Sequence, residues 1–324
     1  MAALTHRDDE ELLTVRAAEL YYDDNKTQDE VGALLKVSRF KVGRLLTQAR
    51  ERGIVRIEIV HPRARRLGLE RELRERFGLT DAVVVPTPDG DPEATARVTQ
   101  AAADYLTALR PVPRTLGVSW GRTLNEVAAR LESGWTTGVT VVQVNGGVSR
   151  TSREDTAAAM AVTIAQRGGG QAVLLPSPAI LERPETKRAI EADRTVAEVL
   201  HRASGADAYL YSAGVADESS VLVDSGYLGA DDVAELVRNG AVGDVVGRYI
   251  DADGKIVDGS LDERTVGLGL DELRAAKTAI FVVAGTGKHD VARAVVTSGL
   301  CTVIVTDEST AQALLDAPTF LEEK

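Results

Sequence analysis

The chain has 324 residues, 44% hydrophobic and 27% charged, with a net charge of −11, one cysteine and four histidines. That length exceeds one ordinary core and predicts two domains, in a globular composition. No run of eighteen apolar residues predicts a membrane span, and no apolar core after the N-terminal methionine marks a secretory signal; the chain reads as cytoplasmic, with no membrane partner. A lone Cys301, ahead of the apolar run 302–305, reads as a small buried residue, and the scattered histidines give no metal-ligand spacing, so neither metal nor cofactor is expected.

Residues 8–22 form the first expected helix, with Leu12, Leu13, Val15, Ala17, Leu20 and Tyr21 at helical spacing and Asp8–Glu11 in the first turn. Thr27 opens a second helix as N-cap, with Glu30 at the capping-box position and Val31, Leu34 and Leu35 on the apolar stripe. After Lys36-Val37, Ser38 caps a third helix whose Val42, Leu45, Leu46 and Ala49 face inward. Two short helices joined by a tight turn are the helix-turn-helix pattern, although Lys36 stands where the turn commonly carries glycine. Ser38, Arg39, Lys41, Arg44 and Gln48 lie on the outward face of the third helix, suited to double-stranded operator DNA. Thr27 and Gln28 are placed for phosphate. Phe40 reads either as a contact to a thymine methyl or as a packing residue.

Charge distribution supports a nucleic-acid partner despite the acidic total. Residues 36–66 carry ten Lys/Arg against two Glu, a local +8 within a remainder of −19. Residues 54–60 alternate as a strand, a small wing in which Arg56 faces phosphate. Arg63 to Phe77 then forms an amphipathic connecting helix. The expected divisions are a DNA-binding domain at 1–60, a helical connector at 61–80 and an effector-binding and oligomerisation domain at 81–324.

From Asp81 short apolar strands alternate with helices. Strands are expected at 82–85, 115–118, 139–144, 171–175, 208–212, 245–250, 279–284 and 302–306, with helices at 93–109, to Leu131 and at 154–167. The fold class is α/β: an all-helical helix-turn-helix domain followed by a larger, doubly wound, mostly parallel domain. Ligands of such sheets bind at the strands' C-terminal ends, so anion chemistry is expected in the strand-to-helix loops. Ser119, Gly121, Arg122 and Thr123 offer N–H groups, hydroxyls and a guanidinium for an anion, or an ordinary helix cap. Asn145-Gly146-Gly147, followed by polar residues 149–155, admits close backbone approach and hydroxyl binding, and reads equally as a turn. Asp244 could accept sugar hydroxyls or sit in a solvated turn. The loop Ala284 to Lys288 is no nucleotide P-loop, because Val282 stands where the earlier glycine is required; Gly-Thr-Gly-Lys still offers N–H donors and an ammonium for one phosphate.

The run LYYDDNKTQDEVGALLKVSRFKVGRLLTQARERGIVRIEI resembles the N-terminal segment of the SorC family of sugar-responsive bacterial regulators. Tyr21-Tyr22, Thr27-Gln28, Ser38-Arg39 and Gly53-Ile54-Val55 carry the resemblance, and TVIVTDESTAQALL at 302–315 extends it to the closing strand and helix, where Asp307 reads as a structural cap. The resemblance implies a domain similar in fold to sugar-phosphate isomerases and deaminases. It also implies phosphate held by the Ser119–Thr123 loop and Lys288, sugar bound near Gly146-Gly147, and a homodimer or homotetramer. Trp120 and Arg122 depart from the smaller or hydroxylic residues of relatives. The expected function is a transcriptional regulator whose operator affinity follows a small phosphorylated sugar; the alternative is a sugar-phosphate isomerase- or deaminase-like enzyme, which is disfavoured because the sequence shows no nucleophile–base pair.

Overall fold

The computed structural model describes residues 6–55, 65–87, 93–147 and 157–316. Of the expected strand 54–60, residues 56–60 with Arg56 lie outside the described residues, as do Arg63 at the start of the connector and polar residues 149–155. The chain divides into two compact units, Met1–His61 and Pro62–Lys324.

The first unit holds α1 (His6–Ala18), a π-helical turn (Glu19–Asp23), α2 (Gln28–Leu35) and α3 (Arg39–Glu51). Helix α3 packs across both α1 and α2. Ala17, Leu20, Val31, Val42, Leu45, Leu46 and Ala49 are buried between them, and the Tyr21 and Tyr22 rings, edge-to-face with each other, pack on that core. The expected capping box is formed: Thr27 N–H donates to Glu30 (2.8 Å) and its hydroxyl accepts the Glu30 N–H (3.3 Å). The Thr27 N–H and the Thr27 hydroxyl (2.8 Å), both donated to the Glu30 carboxylate, hold it below the usual range. Lys36 adopts the left-handed conformation (φ 56°, ψ 41°) that a glycine would take without strain. The glycine of this turn is instead Gly32, where a Cβ would stand 2.8 Å from the Val37 carbonyl oxygen. Ser38 caps α3 by accepting the Lys41 N–H.

The second unit runs α4 (Leu67–Phe77), β1 (Asp81–Val85), α5 (Ala94–Ala108), β2 (Thr115–Val118), α6 (Arg122–Arg130), β3 (Thr140–Gln143), α7 (Ala157–Arg167) and β4 (Gln171–Val173). It continues through α8 (Pro184–Glu191), α9 (Arg194–Ser204), β5 (Ala208–Tyr211), β6 (Ala213–Val215), α10 (Val221–Asp224), α11 (Ala230–Arg238), β7 (Gly243–Val245) and β8 (Arg248–Ile250). It closes with α12 (Gly259–Asp262), α13 (Leu270–Arg274), β9 (Ala279–Val283), α14 (His289–Thr297), β10 (Val303–Asp307) and α15 (Glu308–Asp316). Seven strands form a parallel sheet in the order β1-β10-β9-β5-β2-β3-β4.

Both faces of that sheet are buried, which is why its strands read as unbroken apolar runs. Ala279, Phe281 and Val283 point to one core, and Ile280 and Val282 to the other. Helices α5, α6 and α7 cover the second core; α4, α9, α14 and α15 cover the first. Helix α4 is pinned to β1 by buried Glu70, which accepts hydrogen bonds from the Val84 N–H (2.9 Å) and from Arg65 (2.7 Å).

One expected strand is differently built. The run 245–250 folds as the hairpin β7–β8 in a separate antiparallel sheet, β6-β7-β8. The chain reverses at Val246-Gly247, whose φ values of 49° and 86° suit a two-residue hairpin turn. A β-branched residue at positive φ is a costly choice there, so its propensity pointed the wrong way.

Candidate functional site

The first unit presents the outward face of α3. Arg39, Phe40, Gly43, Arg44, Thr47, Gln48 and Glu51, with Gln28 of α2, line one surface groove. Five of these were expected from sequence; Gly43, Thr47 and Glu51 were not, although all follow the helical spacing of Phe40 and Arg44. Lys41 is half-buried and lies off this groove. The Thr27 hydroxyl both donates to and accepts from Glu30, whereas the Ser38 hydroxyl accepts the Lys41 N–H and keeps its own proton to donate, beside the backbone N–H groups at the helix starts, to a phosphate. Arg39 sits 3.6 Å from exposed Asp29, a solvent-screened pair that phosphate can replace. Arg44 is exposed.

In the second unit the strand order sets where a ligand fits. The chain moves outward from β2 through β3 to β4, then crosses back to place β5 on the other side of β2. A crevice opens beyond the C-terminal ends of strands at such a reversal. A cavity of about 290 Å³ lies there, walled by residues after β2, β5 and β9 and by β7. Of the expected residues it collects Ser119, Gly121, Arg122, Thr123, Asp244 and Lys288, together with Trp120. Ser212, Ser219, Ser220, Thr95 and Glu126 also line it and were not anticipated, because nothing in their local sequence distinguishes them from other loop and helix residues.

Its electrostatics are set by burial. Asp244 is 5% exposed, and burial pushes its carboxyl up to about 6, opposed by the Gly247 N–H (3.1 Å) and by Lys288. Gly214 makes room for this carboxylate: a Cβ there would stand 1.9 Å from an Asp244 oxygen. Burial holds the half-buried Lys288 amine below its usual value, with Asp244 opposing and Arg122 reinforcing the shift. Arg122 donates to the Ser219 carbonyl (2.7 Å), linking the α6 loop to the segment before α10. The buried Ser212 hydroxyl has no protein partner. Hydroxyl, ammonium, guanidinium and carboxylate groups therefore converge on one small polar cavity, the donor set for an anionic, hydroxylated ligand.

The loop bearing Lys288 is held from beneath. Asp307, fully buried at the end of β10, accepts hydrogen bonds from the Gly285 N–H (2.9 Å), the Thr310 N–H (2.9 Å) and hydroxyl (2.8 Å), and the Ser309 hydroxyl (2.5 Å). Burial pushes its carboxyl up, but these donors outweigh it and hold the group below the usual range. Asp307 is thus the cap expected of it, and also the tether of the Lys288 loop. Next to it, Glu308 pairs with Arg66 (2.8 Å), immediately ahead of α4.

Asn145, Gly146 and Gly147 do not line the cavity. The Gly146 carbonyl accepts the Trp120 indole N–H (3.0 Å), and a Cβ on Gly146 would stand 2.2 Å from the Pro178 carbonyl oxygen, so this glycine serves close packing. The Gly147 carbonyl accepts the Tyr227 hydroxyl (3.0 Å). Trp120, 8% exposed, is folded into the third core with Ile180, Leu222 and Tyr249, and so anchors the cavity loop. Asn145 is 1% exposed with neither amide atom partnered. Cys301 is buried and its thiol is pushed up to about 12, an inert core residue. Among the described residues no His/Cys/Asp/Glu cluster could hold a metal, and no helix is long and apolar enough to cross a membrane.

Residues 61–316 match the sequence family described as "Putative sugar-binding domain". The chain is 32% identical over 307 residues to the deoxyribonucleoside regulator of Bacillus subtilis, covering 94% of this chain and 97% of that protein. It is 31% identical to the transcriptional regulator LsrR of Klebsiella pneumoniae, covering 94% and 93% respectively. Among solved structures, the full-length sorbitol operon regulator SorC from Klebsiella pneumoniae superposes with a TM-score of 0.70 at 26% identity, over 95% of this chain and all of that one.

Proposed function

The chain belongs to the SorC family of sugar-binding transcriptional regulators, and from that premise we propose that α3 reads operator DNA while the cavity at the ends of β2, β5 and β9 takes a phosphorylated sugar. The observation that carries the effector half is the convergence of Lys288, Arg122 and the α6 loop on a cavity that also holds buried Asp244. Phosphate sits against Lys288, Arg122 and the Ser119–Thr123 loop, where charge-assisted bonds compensate the burial of the lysine. Sugar hydroxyls donate to Asp244 and exchange bonds with Ser212.

The chain binds its effector rather than turning it over. Phosphate arriving at Lys288 bears on Gly285 and hence on Asp307, whose neighbour Glu308 holds Arg66 at the start of α4. Helix α4 follows the DNA-binding unit in sequence and is the element through which occupancy of the cavity biases that unit. Because one helix reads too few base pairs, the working species is a homo-oligomer with paired α3 helices. The two ligands are then linked, each changing the other's affinity by the same factor.

Thermal unfolding of the full chain with a panel of pentose and hexose phosphates and their unphosphorylated sugars tests the effector assignment. A phosphorylated effector at 100 times its Kd stabilises by about 2.7 kcal/mol, roughly 5–10 °C in Tm. The Lys288→Ala variant loses that shift. Equal stabilisation by the unphosphorylated sugars, or a full shift in Lys288→Ala, contradicts the assignment.

A further inference from the structure

Phe40 is 86% exposed, on the first turn of a helix whose core-facing positions are Val42, Leu45, Leu46 and Ala49. The ring therefore stabilises nothing within the described chain. One turn along the same face stands Gly43, with no side chain, and beyond it Thr47, whose hydroxyl is turned back onto the Gly43 carbonyl (3.1 Å). Ring, glycine and threonine make an uncharged stretch of a face otherwise set with Arg39, Arg44, Gln28 and Gln48, with Glu51 at its far end. A Cβ on Gly43 would meet only the end of the Gln28 side chain at 3.7 Å, so the packing of α2 on α3 does not by itself demand a glycine there.

We propose that Phe40 determines sequence specificity by packing its ring on the C5-methyl group of a thymine, selecting a T·A pair at one position of each operator half-site; this rests on the reading of α3 as the DNA-reading helix. The surrounding cations bring the helix to the phosphates, and phosphate offers an aromatic ring nothing. On the floor of the major groove the thymine methyl is the apolar group that distinguishes one base pair from the other three. The uncharged stretch at Gly43 gives that methyl a place to pack, and the Gln28 and Gln48 amides flank it with groups that pair with adenine edges.

The test uses the full-length chain. Duplexes selected from a random library by the parent protein are re-synthesised with each thymine replaced singly by deoxyuridine, which removes the methyl and leaves the pairing intact. At one thymine per half-site the parent is expected to bind about fourfold more weakly, the effect of one buried methyl-sized group. Phe40→Ala is expected to bind thymine and deoxyuridine duplexes equally there, with the salt dependence of the parent. The proposal is overturned if no thymine in the selected duplexes is sensitive, or if Phe40→Ala keeps the full deoxyuridine penalty. It is also overturned if Phe40→Ala changes the oligomeric state and not the discrimination, since the ring would then be covered by protein. Arg44→Ala separates the two levels: parental affinity in that variant removes α3 as the reader, whereas weakened binding without thymine sensitivity removes only the role of Phe40.

Discussion

Replacing Asp244 by Asn perturbs a buried carboxylate in the cavity. Its carboxyl is pushed from 3.8 to about 6 by burial, roughly two units at 1.36 kcal/mol each, so the ionised group costs the unliganded fold about 3 kcal/mol at neutral pH. The sign follows from proton binding. The folded chain holds this proton more tightly than the unfolded chain, so stability falls as pH rises between about 4 and 6, and the whole cost is present above that window. Asparagine keeps the shape and an oxygen for the Gly247 N–H but has no charge to desolvate. The advantage of Asp244→Asn over the parent should therefore widen between pH 5 and pH 7.5 by about 1.4 kcal/mol, or roughly 3–6 °C in Tm. Thermal unfolding of both proteins at the two pH values, without effector, measures this. A gap that stays constant or narrows with rising pH would refute burial as the source of the shift. The same variant should bind effector more weakly, because the carboxylate that burdens the empty cavity is the acceptor proposed for sugar hydroxyls.

Three other substitutions test separate parts of the account. Ser38→Ala removes the α3 N-cap and should cost the DNA-binding unit about 1 kcal/mol, read by circular dichroism melting. Arg44→Ala should weaken operator binding and, if its partner is a phosphate, lower the slope of log affinity against log salt by about one; an unchanged slope with altered base preference would make it a base reader. Asp307→Asn strips charge from a buried acceptor of four hydrogen bonds and should cost roughly 2–4 kcal/mol in the second unit, seen in denaturant unfolding. It should also blunt the effector response more than Glu308→Gln does, since it alone touches the Lys288 loop.

Local rules made much of this molecule legible in its sequence. The caps at Thr27 and Ser38 are short-range devices, and the stripe Val42, Leu45, Leu46, Ala49 fixed which side of α3 turns outward. The parallel strands were readable because burial on both faces leaves them continuously apolar. The cavity was half legible: Arg122 and Lys288 advertise themselves by charge beside glycine in strand-to-helix connections, and Asp244 by charge beside Gly243, although it folds inside β7. Ser212 and Ser220 do not, because they reach the cavity only through the crossing of β5 back to β2, a property of strand order. Gly146 shows the converse, a glycine that resembles a ligand loop and is required by the approach of Pro178. Val246 was misread because its propensity favours a strand, while the hairpin forces it to positive φ.

The most direct test measures operator binding by the full-length protein while phosphorylated sugars are titrated, for the parent and for Lys288→Ala. The account predicts that at least one phosphorylated sugar changes the parent's operator affinity by tenfold or more, a coupling of about 1.4 kcal/mol. It predicts that Lys288→Ala binds operator as the parent does without effector, yet fails to respond. An operator affinity indifferent to every phosphorylated sugar, or a Lys288→Ala variant that responds as fully as the parent, would contradict it.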